Sequence, residues 1–294
     1  MDICIFSNWK QNGKNGTKEM EITNLNGKPM PIPQKPLPKK IIGFKRINIF
    51  YIDQNAITFL RHFRQLFADC PIHLTIITHN DRIAKFLLRN IWPIFEKNIH
   101  CLELSAGIFN RFRQFVPSIL NDCPSLRFVC FTFDKLFAEF PCDDNAMASD
   151  GQAVAKWLFT PLQNNVPKMF NCWLQNGDPN LSSKVEAFKA AFASALSPAN
   201  FIIVFWFLRS NSVVPFVLTN ESTQEQLALK SINNSDRFLL VRCPIARDES
   251  KWTKWEEEAI CLQIYDQWNR IEIQIYNSDE IGKGLLDATH GTSD

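Results

Sequence analysis

The sequence predicts an α/β fold: a leucine-rich-repeat-like βα solenoid or curved sheet over 41–210, then an antiparallel β meander with a C-terminal helix and strand over 211–277. Three observations predict it. Strand-like segments Arg46–Ile52, His73–Thr78, Ile99–Leu104 and Leu126–Phe133 begin 27, 26 and 27 residues apart, a period in the range of solenoid repeats. The segments between them repeat apolar residues at helical spacing. Beyond Val213 the apolar period falls to two, the mark of half-buried strands.

Residues 1–40 carry Gly13, Gly16 and Gly27 together with Pro29, Pro31, Pro33, Pro36 and Pro38, and read as a flexible Pro-rich leader. The first helix places Ala56, Phe59, Leu60, Phe63, Leu66 and Phe67 on one stripe, with Arg61, Arg64 and Gln65 outside it. The second uses Ile83, Leu87, Ile91, Ile94 and Phe95; the third uses Phe109, Phe112, Val116, Ile119 and Leu120, with a kink expected at Pro117. Asp69-Cys70-Pro71 recurs as Asp122-Cys123-Pro124, two periods on, and each Pro ends a helix and launches a strand. A loop over 141–151 precedes a short helix, Gln152–Phe159, closed by Pro161.

A further βα unit follows, with strand Lys168–Leu174, helix Val185–Leu196 and strand Phe201–Leu208, the last apolar on both faces and therefore central. The meander comprises Val213–Leu218, Gln226–Ile232 and Phe238–Cys243, separated by turn-forming runs at 219–222 and 233–236. Asp248 is the N-cap of a helix carrying Trp252, Trp255, Ala259 and Leu262, with Glu256, Glu257 and Glu258 on its wet face. Strand Arg270–Tyr276 closes the fold before a polar tail over 278–294. Phe59, Phe63, Phe112, Val116, Phe188 and Phe192 are expected between helices and sheet.

Composition excludes more than it identifies. The chain has 294 residues, 46% apolar, with 32 Lys and Arg against 30 Asp and Glu, a formal charge of +2 that offers no field for nucleic acid or an acidic membrane. Its longest apolar run, Phe201 to Leu208, is eight residues, against the roughly 20 of a membrane-spanning helix. The first residues hold no signal-type cleavage site, so a cytoplasmic location is expected, with the nucleus as the second compartment. Nine cysteines, an odd and scattered set, read as buried free thiols, and the sequons at Asn15, Asn180, Asn220 and Asn233 read as chance.

Catalytic and cofactor signatures are weak throughout. No G-x-G-x-x-G or G-K-[ST] run occurs, and Gly282-Lys283-Gly284 is followed by no amphipathic helix. His62, Cys70, His73 and His79 straddle a strand rather than forming a paired metal-ligand spacing, so no metal is expected. His100 and Cys101 are strand neighbours and point to opposite faces. Cys142, before Asp143 and Asp144, is the cysteine expected nearest the surface, with no His close to it in sequence. Lys251-Trp252-Thr253-Lys254-Trp255 interleaves cations with aromatics, but Trp252 and Trp255 have core-anchor spacing. Arg61, Arg64, Arg111 and Arg113 are expected to form a basic outer strip. The reading is of a protein with no catalytic residues and no cofactor.

Several landmarks carry a resemblance. Pro31-Ile32-Pro33-Gln34-Lys35-Pro36-Leu37-Pro38 leads into Ile42-Gly43-Phe44 and Tyr51-Ile52-Asp53-Gln54; later come Ile91-Trp92-Pro93, Phe137-Ala138-Glu139-Phe140-Pro141, Asp144-Asn145-Ala146 and Ala155-Lys156-Trp157-Leu158. Toward the C-terminus stand Asn200-Phe201-Ile202-Ile203, Phe205-Trp206, Val214-Pro215-Phe216, Leu240-Val241-Arg242-Cys243-Pro244-Ile245 and Lys251-Trp252-Thr253-Lys254-Trp255-Glu256. Over about residues 30–290 the chain resembles the F-box-associated family expanded in plant-parasitic nematodes.

The resemblance implies a recognition domain that selects a protein target for ubiquitination, with the cullin-adaptor subunit as a further partner where an F-box is present. Residues 1–30 hold neither a Leu-Pro start nor a succession of apolar helices, so no F-box is recognisable in them. The expectation is therefore a non-enzymatic protein-protein recognition module, a substrate receptor for a cullin-RING ligase, with an F-box-less scaffold or decoy as the alternative. A cysteine-dependent enzyme is the reading from another class, and the Phe content raises a binder of small hydrophobes, although those Phe fall on core stripes. Strand residues taken to alternate outward, Asn48, Phe50, His73, Thr75, His100, Glu103, Arg127 and Val129, are the expected partner-facing positions.

Overall fold

The structure, a computed structural model, describes residues 5–6, 22–24, 29–30, 46–66, 70–131, 136–174, 181–207, 214–232, 237–261 and 269–286. Phe67, Leu208, Val213, Leu262, the 233–236 turn and most of the leader lie outside them. Within the leader, β1 (Ile5–Phe6), β2 (Ile22–Asn24) and β3 (Pro29–Met30) pair as a small antiparallel sheet. Then come β4 (Arg46–Ile49), α1 (Gln54–Leu66), β5 (Ile72–Ile77), α2 (Asp81–Asn90), α3 (Trp92–Phe95), β6 (Ile99–Leu104) and α4 (Ala106–Arg113). The chain continues through β7 (Phe128–Phe131), α5 (Asp150–Phe159), β8 (Lys168–Leu174), α6 (Leu181–Ala193) and β9 (Phe201–Phe207). Last come β10 (Phe216–Asn220), β11 (Glu225–Ser231), β12 (Arg237–Pro244), α7 (Glu249–Ile260) and β13 (Arg270–Gln274). The α/β class is as expected.

The chain divides into two compact units, Met1–Phe112 with Ile264–Asp294, and Arg113–Gln263. These bounds differ from the sequence-read ones at 40, 210 and 277. In the first unit four strands run parallel in the order β6-β5-β13-β4. Successive stacking, as in a repeat array, would set β4 beside β5; here β13 stands between them. Its fit follows from pattern: Ile271 aligns with Ile47 and Leu74, and Ile273 with Ile49 and Ile76, so one face of the run is continuously aliphatic and buried.

In the second unit β7, β8 and β9 are parallel, joined through α5 and α6, and β9 is followed in space by the antiparallel β12, β11 and β10. The expected meander is present. Helix starts are set by capping: Asn80 accepts from the backbone N–H groups of Arg82 and Ile83, Asp248 from that of Lys251, and Ser149 with Gln152 makes a reciprocal capping box. Phe137 stacks on Phe205 at 5.5 Å, and Phe140 meets Phe188 edge-on at 4.9 Å, filling the space beneath α5 and α6.

Two helices differ from expectation. The second breaks at Ile91 into α2 and α3, with Pro93 in the first turn of α3. The third ends at Arg113, before Pro117, and 114–125 is mostly turn. Val116 is consequently half-buried, whereas Phe59, Phe63, Phe112, Phe188 and Phe192 are buried.

Phe63 is 1% exposed and lies 5.4 Å from the Phe59 ring. Phe63→Ala is expected to cost about 3–5 kcal/mol in urea unfolding, and Val116→Ala less than about 1 kcal/mol. Equal losses at the two positions would overturn the assignment of the first helix stripe to the core.

Candidate functional site

The polar face of the first unit brings together three of the residues singled out in sequence. Thr75 Oγ1 donates to Glu103 Oε2 at 3.0 Å, and His73 Nε2 lies 3.7 Å from the same oxygen. Arg270, which sequence reasoning passed over, donates through Nη2 to Glu103 Oε2 at 3.3 Å and pairs with Glu272 Oε2 at 3.3 Å. Glu272 in turn holds Arg46 and accepts from Gln274. The register explains the lattice, because Arg270 sits opposite His73 and Arg46, and Glu272 opposite Thr75 and Asn48. Arg270-Ile271-Glu272-Ile273-Gln274 and Arg46-Ile47-Asn48-Ile49 share one alternation of polar with isoleucine. That shared pattern was the available signal.

His73, Thr75, Glu103, Arg270 and Glu272 are all buried. Burial pushes the Glu103 carboxyl up, but its contact with His73, the Arg270 charge and the Thr75 hydroxyl outweigh this and hold it below the ordinary carboxylate value. A carboxylate kept ionised by a fixed guanidinium acts as a tie between strands and is poorly placed for proton transfer near neutral pH. Neither ring nitrogen of His73 makes a hydrogen bond among the described residues.

The outward alternation expected for the partner face therefore needs correction. His73, Thr75, Glu103, Arg127 and Val129 are buried, while Asn48, Phe50 and His100 are half-buried. Strands inside a parallel run are covered on both faces, so alternation there does not separate core from surface. In the second unit Arg127 is held by Glu258 through a forked pair at 3.2 and 2.9 Å and donates to the Pro167 carbonyl at 3.2 Å.

Other expectations resolve similarly. Arg113 is buried against Asp150 and the carbonyls of Pro117, Ala148 and Asn145, so it belongs to no basic outer strip. Glu256 is drawn inward by Arg247 at 3.0 Å and Lys230 at 3.2 Å, leaving Glu257 and Glu258 on the exposed side. Trp252 is buried and meets half-buried Trp255 edge-on at 5.3 Å. Cys261 is exposed, Cys70 and Cys142 are half-buried, and Cys101, Cys123, Cys130, Cys172 and Cys243 are buried. No cluster of three metal-ligating side chains occurs among the described residues, and no helix there is long and apolar enough to cross a membrane.

Two features of the second unit escaped sequence reading. Arg242, 0% exposed, donates to Glu225 Oε2 from Nε at 3.1 Å and from Nη2 at 2.6 Å, and Nη2 also reaches the Ser197 carbonyl at 2.9 Å. Lys168, 3% exposed, donates to the Trp157 carbonyl at 2.6 Å and lies 5.0 Å from the Trp157 ring centroid. Burial lowers its pKa from 10.5 to about 7.

An open groove of about 660 Å³ runs between α5 and α6, lined among others by Phe140, Cys142, Lys156, Phe159, Ala191 and Ser197. The Cys142 thiol is pushed up to about 11 by burial, which outweighs the opposing charges of Lys156 and Arg242. It is a poor nucleophile at neutral pH. Comparison of the chain with protein-family models, with curated proteins and with solved structures finds no match.

Two outcomes follow from these groups. The unfolded chain protonates Lys168 up to about pH 10.5 and the folded one only up to about 7, so the folded state gains stability from this residue as pH rises between those values. Lys168→Met is expected to be more stable than the parent at pH 6, by up to about 4 kcal/mol, with the gap closing by pH 10; the Trp157 carbonyl keeps its bond from the Thr160 N–H at 3.2 Å. Identical pH profiles for the two proteins would refute the depressed lysine. With iodoacetamide at pH 7.5, peptide mapping is expected to find Cys261 modified first and Cys142 slowly; rapid selective alkylation of Cys142 would restore the cysteine-enzyme reading.

Proposed function

We propose that the chain is a non-enzymatic protein-recognition module of F-box-associated type, a substrate receptor that presents its target to a cullin-RING ubiquitin ligase. The family resemblance read in the sequence supplies the class, and one structural observation supports the mode. Strand β10 ends the strand order of the second unit and pairs only with β11 among the described residues. Phe216, Val217, Leu218 and Thr219 carry no charge, and Val217 is 64% and Val214 75% exposed.

Sheet edges are normally protected by charge, by proline within the strand or by a covering element. An edge left uncharged and apolar suits the addition of an extended segment from another protein, with main-chain hydrogen bonds for affinity and alternate side chains for selectivity. Asn220 anchors the strand's end by donating to the Phe192 and Ala195 carbonyls at 2.8 and 3.0 Å.

The test is affinity purification of the tagged chain from native extract beside a double variant, Val217→Lys with Thr219→Lys, both at exposed positions. Target proteins that co-purify with adaptor and cullin, and whose recovery falls at least about tenfold in the variant, support the substrate-receptor reading. Specific targets without adaptor or cullin convert the reading to a scaffold or decoy. Recovery unchanged in the variant removes β10 as the contact strand.

A further inference from the structure

The groove of the second unit has a construction that the edge-strand reading does not use. Its α6 wall presents Ala187, Ala190 and Ala191, with Ser194 just past the helix end, small side chains that leave the space open. The opposite side carries Phe140 and Phe159, whose rings meet edge-on at 5.3 Å, and Lys156 from α5. No Asp or Glu lines it among the described residues.

Behind this apolar floor stands Arg242. Its guanidinium carbon is 5.0 Å from the Phe159 ring centroid and 5.3 Å from that of Phe192. Glu225 occupies its Nε and Nη2 side, whereas Nη1 is buried and makes no hydrogen bond among the described residues. Glu225 balances the Arg242 charge in that pair, so the cation in the groove lining is Lys156, at an exposed position. The groove thus combines a phenyl and methyl surface with the Lys156 cation on its wall, in a volume typical of small-molecule sites.

We propose that the groove binds an amphiphilic monoanion, a medium-chain or aromatic acid whose apolar body lies on Phe140, Phe159 and the α6 alanines while its carboxylate meets Lys156. This site is separate from strand β10, and the proposal stands whether or not that strand captures a partner.

The experiment is isothermal titration of the full chain with sodium decanoate, decan-1-ol and decyltrimethylammonium, three probes of equal chain length and different head charge. Decanoate is expected to bind at least about tenfold more tightly than the alcohol, the worth of one charge-assisted contact, and the ammonium probe most weakly. Ala191→Trp, which fills the groove, is expected to abolish binding of all three. Lys156→Glu, at an exposed position, is expected to reverse the order in favour of the ammonium probe while leaving the thermal melting curve unchanged. Absence of decanoate binding up to about 1 mM, equal affinity for acid and alcohol, or unaltered binding by Ala191→Trp would each overturn the proposal.

Discussion

A guanidinium removed from water must take its counter-charge with it, and in both units this requirement fixes which elements lie side by side. In the first unit the Arg270 charge is shared between Glu103 and Glu272, and Glu272 is shared between Arg270 and Arg46, so β4, β13, β5 and β6 are joined in one lattice. In the second, Arg242 and Glu225 tie β12 to β11, and Glu225 also accepts the Ala199 N–H at 2.8 Å at the entry to β9. Also in the second unit, Arg113 pairs with Asp150 at the start of α5. Such pairs add little net stability over an apolar replacement, but losing either partner strands a charge. Their contribution here is to register: a slip of β13 by one residue separates Arg270 from Glu103 and Glu272 from Arg46 together.

Lys168 meets the same requirement by another route. Its neighbours are a carbonyl and an indole face. The amine therefore sheds its proton more readily, and the cost of burial is transferred from a counter-ion to the proton equilibrium. The surfaces proposed for binding lie elsewhere in the same unit, on the edge of β10 and in the groove beside α6.

The α/β class, the meander and most element limits were legible because they follow from local pattern. Lys168–Leu174 and Ile99–Leu104 are strands over the residues expected, and Asp248 caps α7 as its sequence context predicts. Helix limits failed where proline and side-chain bonding compete, as at Pro117, whose carbonyl accepts from Arg113 at 3.2 Å. The position of β13 was not legible, since periodicity reports the spacing of neighbours in sequence and carries no information on a strand from the far end of the chain. The charge lattice was half visible: His73, Thr75 and Glu103 were singled out, but for exposure, and the cations that bury them come from β13 and β4. The groove was invisible because its lining comes from two helices and a loop whose small residues read as ordinary helix formers.

The insertion of β13 also has a consequence for synthesis on the ribosome. Arg46 and Glu272, partners in the finished sheet, are 226 residues apart, and translation at about 5–20 residues per second separates their appearance by tens of seconds. Throughout that interval β4 and β5 have an empty slot between them and Glu103 lacks Arg270. The second unit is one continuous stretch, Arg113–Gln263, and has all its strands before β13 is made. The order of manufacture thus places the contiguous unit first and leaves the first-made strands in need of protection from misassociation until the last one arrives.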